Sequence, residues 1–309
     1  MGEISFNYLV ILICLIVNYT WLKDFARFDD SWFFRFRCRM EEQVAGFSSN
    51  SGNARWISLI LIYAIPLLVL VGLLVLIDNR LFGLPTMLLH IVVLLIALDR
   101  TQPGKLVSDF LETWHTGDLD SCSAYMQQAL GMPDSVDVKD ECSLKNYFSN
   151  KFISRYLEKS FVMFFWYLLT GPLGVLFNYV SYQLRDSHGE IQAELSVNLI
   201  SWVINVLEWV PIRLLGLTFS LAVNFVSCFD RLQASFWRFG LDSDSGEILL
   251  GFATGALTGS DQHFEEEDNT ATLREQVTVE IEALQGLLER SQMIWLIILA
   301  LITIFSLQN

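Results

Sequence analysis

Within Asn205–Ser220, Glu208, Pro211 and Arg213 interrupt an otherwise apolar run. A charge near the centre of a membrane helix costs roughly 3 kcal/mol or more, so such residues invite a functional reading by default. Pro211 lacks a backbone N–H and is expected to break the helix there, freeing carbonyls near Leu207 and Glu208. Glu208 and Arg213 flank that break, within reach of each other or of a third group. Two readings stay open. In one, both charges snorkel toward lipid head groups and Trp209 joins the aromatic belt. In the other, a charge pair at a helix end lines a polar ligand pocket.

Other chemistries are weaker. Asp261, His263 and Glu265–Asp268 offer ligands for a divalent cation, but neighbouring residues converge on one point only in a tight turn, and a solvated acidic loop fits them better. His90 is expected to bond a neighbouring helix rather than a metal. Phe252–Gly259 is rich in Gly and Thr, which suits either an anion nest or a close helix–helix contact. The phosphate-binding and dinucleotide-binding glycine patterns are absent from the sequence, as is a nucleophile elbow. No catalytic residue, metal or cofactor is therefore assigned. The five cysteines form no Cys-x-x-Cys pair and read as free thiols, the alternative being a Cys122–Cys142 bridge in an extracytoplasmic loop.

These residues need elements to hold them, and the composition says which solvent those elements face. The 309-residue chain is 53% hydrophobic and only 17% charged, against about 25% in soluble domains. Its net charge of −14 has the wrong sign for nucleic acid. An all-α, polytopic protein of the inner membrane is expected, a single membrane domain over residues 1–309. About five or six segments are apolar enough, near 4–22, 56–77, 84–98, 161–182, 212–229 and 293–307. The first lacks the features of a cleaved signal peptide and reads as a retained helix. Thr170-Gly171-Pro172 interrupts the fourth, which either crosses fully or turns back as a re-entrant hairpin. Between Val197 and Phe229 the apolar run is too long for one straight span, and a division at Pro211 is expected, with a short amphipathic helix before it.

Lys23, Arg27, Arg35, Arg37, Arg39 and Arg55 make the first polar region, 23–55, cytoplasmic by the positive-inside rule, with the N-terminus outside. The regions 99–159 and 230–290 are acidic. In the region 23–55, Phe25, Phe28, Trp32, Phe33 and Phe36 recur at helical spacing. They suit a helix in contact with membrane lipids, or one packed on the protein's own spans. Val107, Phe110, Leu111 and Trp114 predict one further helix, and Phe148, Phe152 and Tyr156 another. Leu273, Val277, Ile281, Leu284 and Leu288 form an apolar stripe on a helix over 272–290, which packs on the protein or meets a protein partner.

Glu208-Trp209-Val210-Pro211-Ile212-Arg213-Leu214 resembles a signature shared by two membrane families. One is the CobD/CbiB adenosylcobinamide-phosphate synthases. The other is AmpE, a regulatory signalling modulator of β-lactamase induction. Phe165-Trp166-Tyr167-Leu168-Leu169-Thr170-Gly171-Pro172-Leu173-Gly174 resembles an AmpE stretch, and the basic, aromatic loop at Trp21–Met40 and the last span match AmpE in kind and order. The synthases' acidic and amide motifs are replaced here by Glu158–Met163 and by Tyr182–Asp186, which implies a non-catalytic relative. The resemblance thus implies a signalling modulator that binds a small anionic or nucleotide-like ligand through Glu208, Trp209, Arg213, Arg185 and Asp186. An ATP-dependent corrinoid amide-forming synthase and a membrane scaffold are the alternatives.

Overall fold

In a membrane or a protein interior, backbone N–H and C=O groups must bond within their own segment, and the helix is the simplest solution. The computed structural model of the chain follows that rule. It describes residues 3–20, 31–47, 51–77, 83–98, 103–132, 140–186, 194–222, 245–257 and 270–308, whose regular structure is entirely helical. In chain order these are α1 (Glu3–Thr20), α2 (Ser31–Phe47), α3 (Ser51–Ile77), α4 (Leu84–Ala97), α5 (Pro103–Thr116), α6 (Leu119–Leu130) and α7 (Glu141–Tyr156). A π-helical turn, Leu157–Phe161, follows, and then α8 (Val162–Thr170), α9 (Pro172–Asp186), α10 (Glu194–Ala222), α11 (Ser245–Leu257) and α12 (Thr270–Gln308).

Three stretches are long and apolar enough to cross a membrane: Trp56–Ile77 in α3, Asn198–Ala222 in α10 and Arg274–Phe305 in α12. Shorter apolar helices cover Phe6–Asn18, Leu84–Ala97 and Ser245–Leu257. The segment expected over 161–182 is not one straight helix. Gly171 adopts φ 69°, which ends α8 after 9 residues, and Pro172 starts the 15-residue α9. At 1.5 Å per residue these pieces are about 14 and 22 Å long, each shorter than a hydrocarbon core of about 30 Å. The division expected at Pro211 does not occur either, because α10 runs unbroken through that proline.

The chain forms two compact units. The first comprises Met1–Arg100, Val162–Leu207 and Phe305–Asn309. In it α3 turns Leu68 and Val75 outward, 68% and 72% exposed, as a lipid-facing helix does. The hub is α9, where every residue from Asn178 to Leu184 is buried, and α3, α4 and α8 all pack on it. Polar contacts tie the bundle together. Tyr63 and Ser181 share a hydroxyl hydrogen bond of 3.1 Å, and His90 Nδ1 lies 2.9 Å from the Tyr167 hydroxyl, with Phe6 edge-on to the imidazole. His90 thus bonds a neighbouring helix. From α2, Trp32 stacks on Tyr179 and Phe33 meets it edge-on. Phe25 and Phe28 lie outside the described residues.

The second unit comprises Thr101–Phe161 and Glu208–Ile304. Its centre is an aromatic ladder, Trp114–Phe110–Phe148–Phe152, with ring centroids 5.8, 3.8 and 5.8 Å apart. Val107, Phe110, Leu111 and Trp114 are buried on α5, as are Phe148, Phe152 and Tyr156 on α7. α6 starts at Asp118, whose carboxylate accepts from the Asp120 N–H at 3.2 Å, and ends at Gly131 with φ 66°. On α11, a Cβ at Gly246 would collide with Asn150 and Ser154, so the missing side chain permits the close approach to α7. Phe252–Leu257 is helical, which makes the small residues a helix contact; Thr258 and Gly259 lie outside the described residues. α12 is anchored by Arg274 to Glu141 at 2.8 Å, by Lys145 to Glu280, and by the Tyr156 hydroxyl donating to Leu288 O at 3.2 Å. Val277, Ile281, Leu284 and Leu288 are buried, so that stripe packs inside the protein. Cys14, Cys38, Cys122 and Cys142 are free thiols.

The Tyr125 hydroxyl donates to Leu106 O at 3.2 Å. Burial, reinforced by the Asp109 charge, pushes its phenol up to about 12. An unfolded tyrosine ionises near pH 10. Between those values the unfolded chain sheds a proton that the folded chain keeps, so stability falls as pH rises. Tyr125→Phe should therefore flatten the loss of thermal stability between about pH 10 and 12 relative to wild type. An unaltered alkaline slope would show that this phenol does not hold its proton.

Candidate functional site

The missing N–H of Pro211 decides the local structure of α10. In a regular helix residue 211 would donate to the carbonyl of Leu207, four residues earlier. A carbonyl left bare in apolar surroundings costs on the order of a few kcal/mol, which favours a break. Here the Trp166 indole N–H donates to Leu207 O at 3.0 Å, and the helix continues. A side chain of one motif therefore completes the backbone of the other, and Trp166 and Leu207 lie in the same unit.

Several local bonds fix Trp166. Its own carbonyl accepts from the Thr170 hydroxyl at 2.9 Å, and Gly171 N–H closes the end of α8 onto Tyr167 O, also at 2.9 Å. The left-handed Gly171 followed by Pro172 is the expected pairing of a helix stop with a helix start. A Cβ at Gly174 would strike the Thr170 hydroxyl and come within 3.1 Å of Trp166 O. One turn on, Asn178 Nδ2 donates to Gly174 O at 2.7 Å. Each small or polar residue of Phe165–Asn178 thus has a positional reason.

Past Pro211 the character of α10 changes. Trp202, Val206 and Val210 form an exposed apolar stripe, whereas nearly every residue from Pro211 to Ser220 is buried or half-buried. Glu208 is 2% exposed and Arg213 5%. Both are enclosed by protein, which removes the reading in which they snorkel to head groups. Arg213 Nη1 donates to Trp209 O at 3.0 Å, and its guanidinium carbon sits 4.5 Å from the centre of the Trp209 ring. Such a stack gives the cation an electrostatic contact with the negative face of the ring. Nearby in this unit, Trp295 Nε1 donates to the Thr218 hydroxyl at 3.0 Å, and Phe161 is edge-on to Trp295.

The structure groups the sequence-derived residues in two sets. Glu208, Trp209 and Arg213 belong to the second unit, Arg185 and Asp186 to the first. Arg185 bonds its neighbour Asp186 at 3.0 Å at the end of α9 and lies over the Tyr182 ring at 5.2 Å. Among the described residues no group of three or more His, Cys, Asp or Glu side chains is placed to hold a metal. His263, Asp261 and Glu265–Asp268 lie outside the described residues. Trp166 was not among the sequence-derived site residues, although its place in an apolar segment beside a helix-ending Thr-Gly-Pro was a usable signal.

A family model described as regulatory signalling modulator protein AmpE matches residues 12–306. No curated protein and no solved structure matches the chain.

Trp166→Phe keeps the ring and deletes the donor, leaving the Leu207 carbonyl bare, and should cost about 1–3 kcal/mol of stability. In a Pro211→Ala background residue 211 regains its own N–H, so the same change should cost at least ~1 kcal/mol less. Unfolding of the two single variants and the double variant in detergent measures this. Strict additivity would mean that the indole does not serve the carbonyl that Pro211 exposes.

Proposed function

The chain belongs to the AmpE family of regulatory signalling modulators, and on that premise we propose that it modulates β-lactamase induction and the response to cell-wall damage. The observation that carries this reading is the family match over nearly the whole chain. In this reading it is a multi-pass protein of the inner membrane. The shorter apolar helices α1 and α4, together with the α8–α9 pair, join the three long ones to give five or six segments. The acidic loops then lie on the cytoplasmic side. The likeness to CobD/CbiB synthases belongs to the same proposal as a matter of ancestry.

A small anionic or nucleotide-like ligand would act through Glu208, Trp209 and Arg213; Arg185 and Asp186, in the first unit, are a separate candidate pair for such a ligand. Support comes from the enclosure of two ionisable side chains in an apolar helix, which packing alone does not require. Such a ligand shifts a conformational equilibrium only by binding one state more tightly than another. A protein partner at 272–290 would meet the outer face of α12, where Glu275, Glu282 and Glu289 are exposed, because the apolar stripe is already buried.

The test is inducible β-lactamase activity in a deletion strain of the source organism, complemented with wild type or Arg213→Ala. Deletion should alter induction, wild type should restore it, and Arg213→Ala should fail at comparable membrane abundance. Induction untouched by deletion would remove the signalling role. Full restoration by Arg213→Ala would remove the ligand reading alone.

A further inference from the structure

The inner and outer sides of α2 differ in charge. Phe33, Arg37 and Val44 face the protein, 1%, 3% and 7% exposed. Arg37 is 3.6 Å from Glu41 and lies over the Phe34 ring at 5.2 Å, so the inward cation is held by its own helix. At 100° per residue, Arg35 and Arg39 fall one turn apart on the outward arc, with Trp32 toward one edge and Phe34 at the other. All four side chains are exposed, as is Glu42 on the same arc. Arg35 donates to Ser31 O and Oγ, both at 3.4 Å, and Arg39 meets no acid among the described residues.

Position along the chain places this arc near a membrane boundary. α2 ends at Phe47, α3 begins at Ser51, and the two helices pack on each other. The apolar span of α3 opens at Trp56, and Trp56, Ile57 and Ile60 are exposed as lipid-facing side chains would be. Tryptophan at such a position marks the head-group level. A helix separated from that boundary by eight residues, with arginines between outward aromatic rings, has the chemistry of an interfacial anchor. The overall charge of −14 would repel an anionic bilayer, so any attraction has to be local.

We infer that the outward arc of α2 binds anionic phospholipid head groups. Arg35 and Arg39 take the phosphates, and Trp32 and Phe34 rest at the acyl boundary. A basic residue near an anionic bilayer surface contributes about 1 kcal/mol, so losing two should weaken binding roughly thirty-fold. The full-length protein in neutral detergent is titrated with phosphatidylglycerol and, separately, phosphatidylcholine, and lipid adducts are counted by native mass spectrometry. Phosphatidylglycerol should bind wild type more tightly than phosphatidylcholine does. Arg35→Gln/Arg39→Gln should lose that preference. Arg290→Gln, which removes an exposed cation from α12, should keep it, and Arg35→Lys/Arg39→Lys should stay within about threefold of wild type. If the double glutamine variant does not fold, Arg39→Gln alone should show a roughly fivefold loss. Equal affinity for the two lipids, an unaltered glutamine variant, or a lysine variant as weak as the glutamine one overturns the inference.

Discussion

The Leu207 carbonyl is where the local architecture is decided. Proline in a membrane helix creates an unpaired acceptor in a medium that offers no water, and the surrounding protein must supply a donor or the helix must part. Trp166 supplies it at 3.0 Å. The donor is useful only if held in place, and that requirement explains the residues around it. The Thr170 hydroxyl on Trp166 O, the left-handed Gly171, Pro172 and the side-chain-free Gly174 together fix where α8 stops and α9 starts. One backbone acceptor thereby constrains a run of residues some forty positions away in sequence.

The same logic extends to Arg213. An arginine enclosed to 5% exposure within an apolar helix is tolerable only if its guanidinium is satisfied. The Trp209 carbonyl and ring contribute to this from one turn earlier on the same helix. The Glu-Trp-Val-Pro-Ile-Arg stretch is therefore more than a string of apolar residues with accidental charges. Pro211 exposes Leu207, Trp209 seats Arg213, and the helix passes through unbroken. The stretch is thus part of one continuous helix, with both of its charged side chains buried.

Much of this was legible in the sequence, and the gaps have physical causes. Periodicity found α5, α7 and the buried stripe of α12, because amphipathic helices repeat their apolar residues whatever they pack on. The Thr-Gly-Pro interruption marked the α8–α9 turn, since only a few residue types suit a left-handed stop followed by a helix start. Pro211 misled for the opposite reason. Its local chemistry argues for a break, and the donor that prevents the break sits at Trp166, which no local pattern connects to it. Burial of Glu208 and Arg213 was illegible too, because a charged residue in an apolar run reads alike whether it faces head groups or the protein interior. For Arg185 and Asp186 the family correspondence supplied the grouping with Arg213, and the structure adds the contact that the two neighbours make with each other.

α12 spans 39 residues, about 58 Å, with no proline along its length. Kinks in helices arise mostly at proline, at glycine–serine pairs or at π-bulges, and α12 is α-helical throughout. Its first half is tied to α5 by the Trp114 indole, which donates to Arg274 O at 3.4 Å, and to α7 through Glu141 and Tyr156; its second half is apolar. The polar, salt-bridged half and the apolar half are therefore one continuous piece of backbone, with no proline joint between Arg274 and Met293 at which the two could move independently.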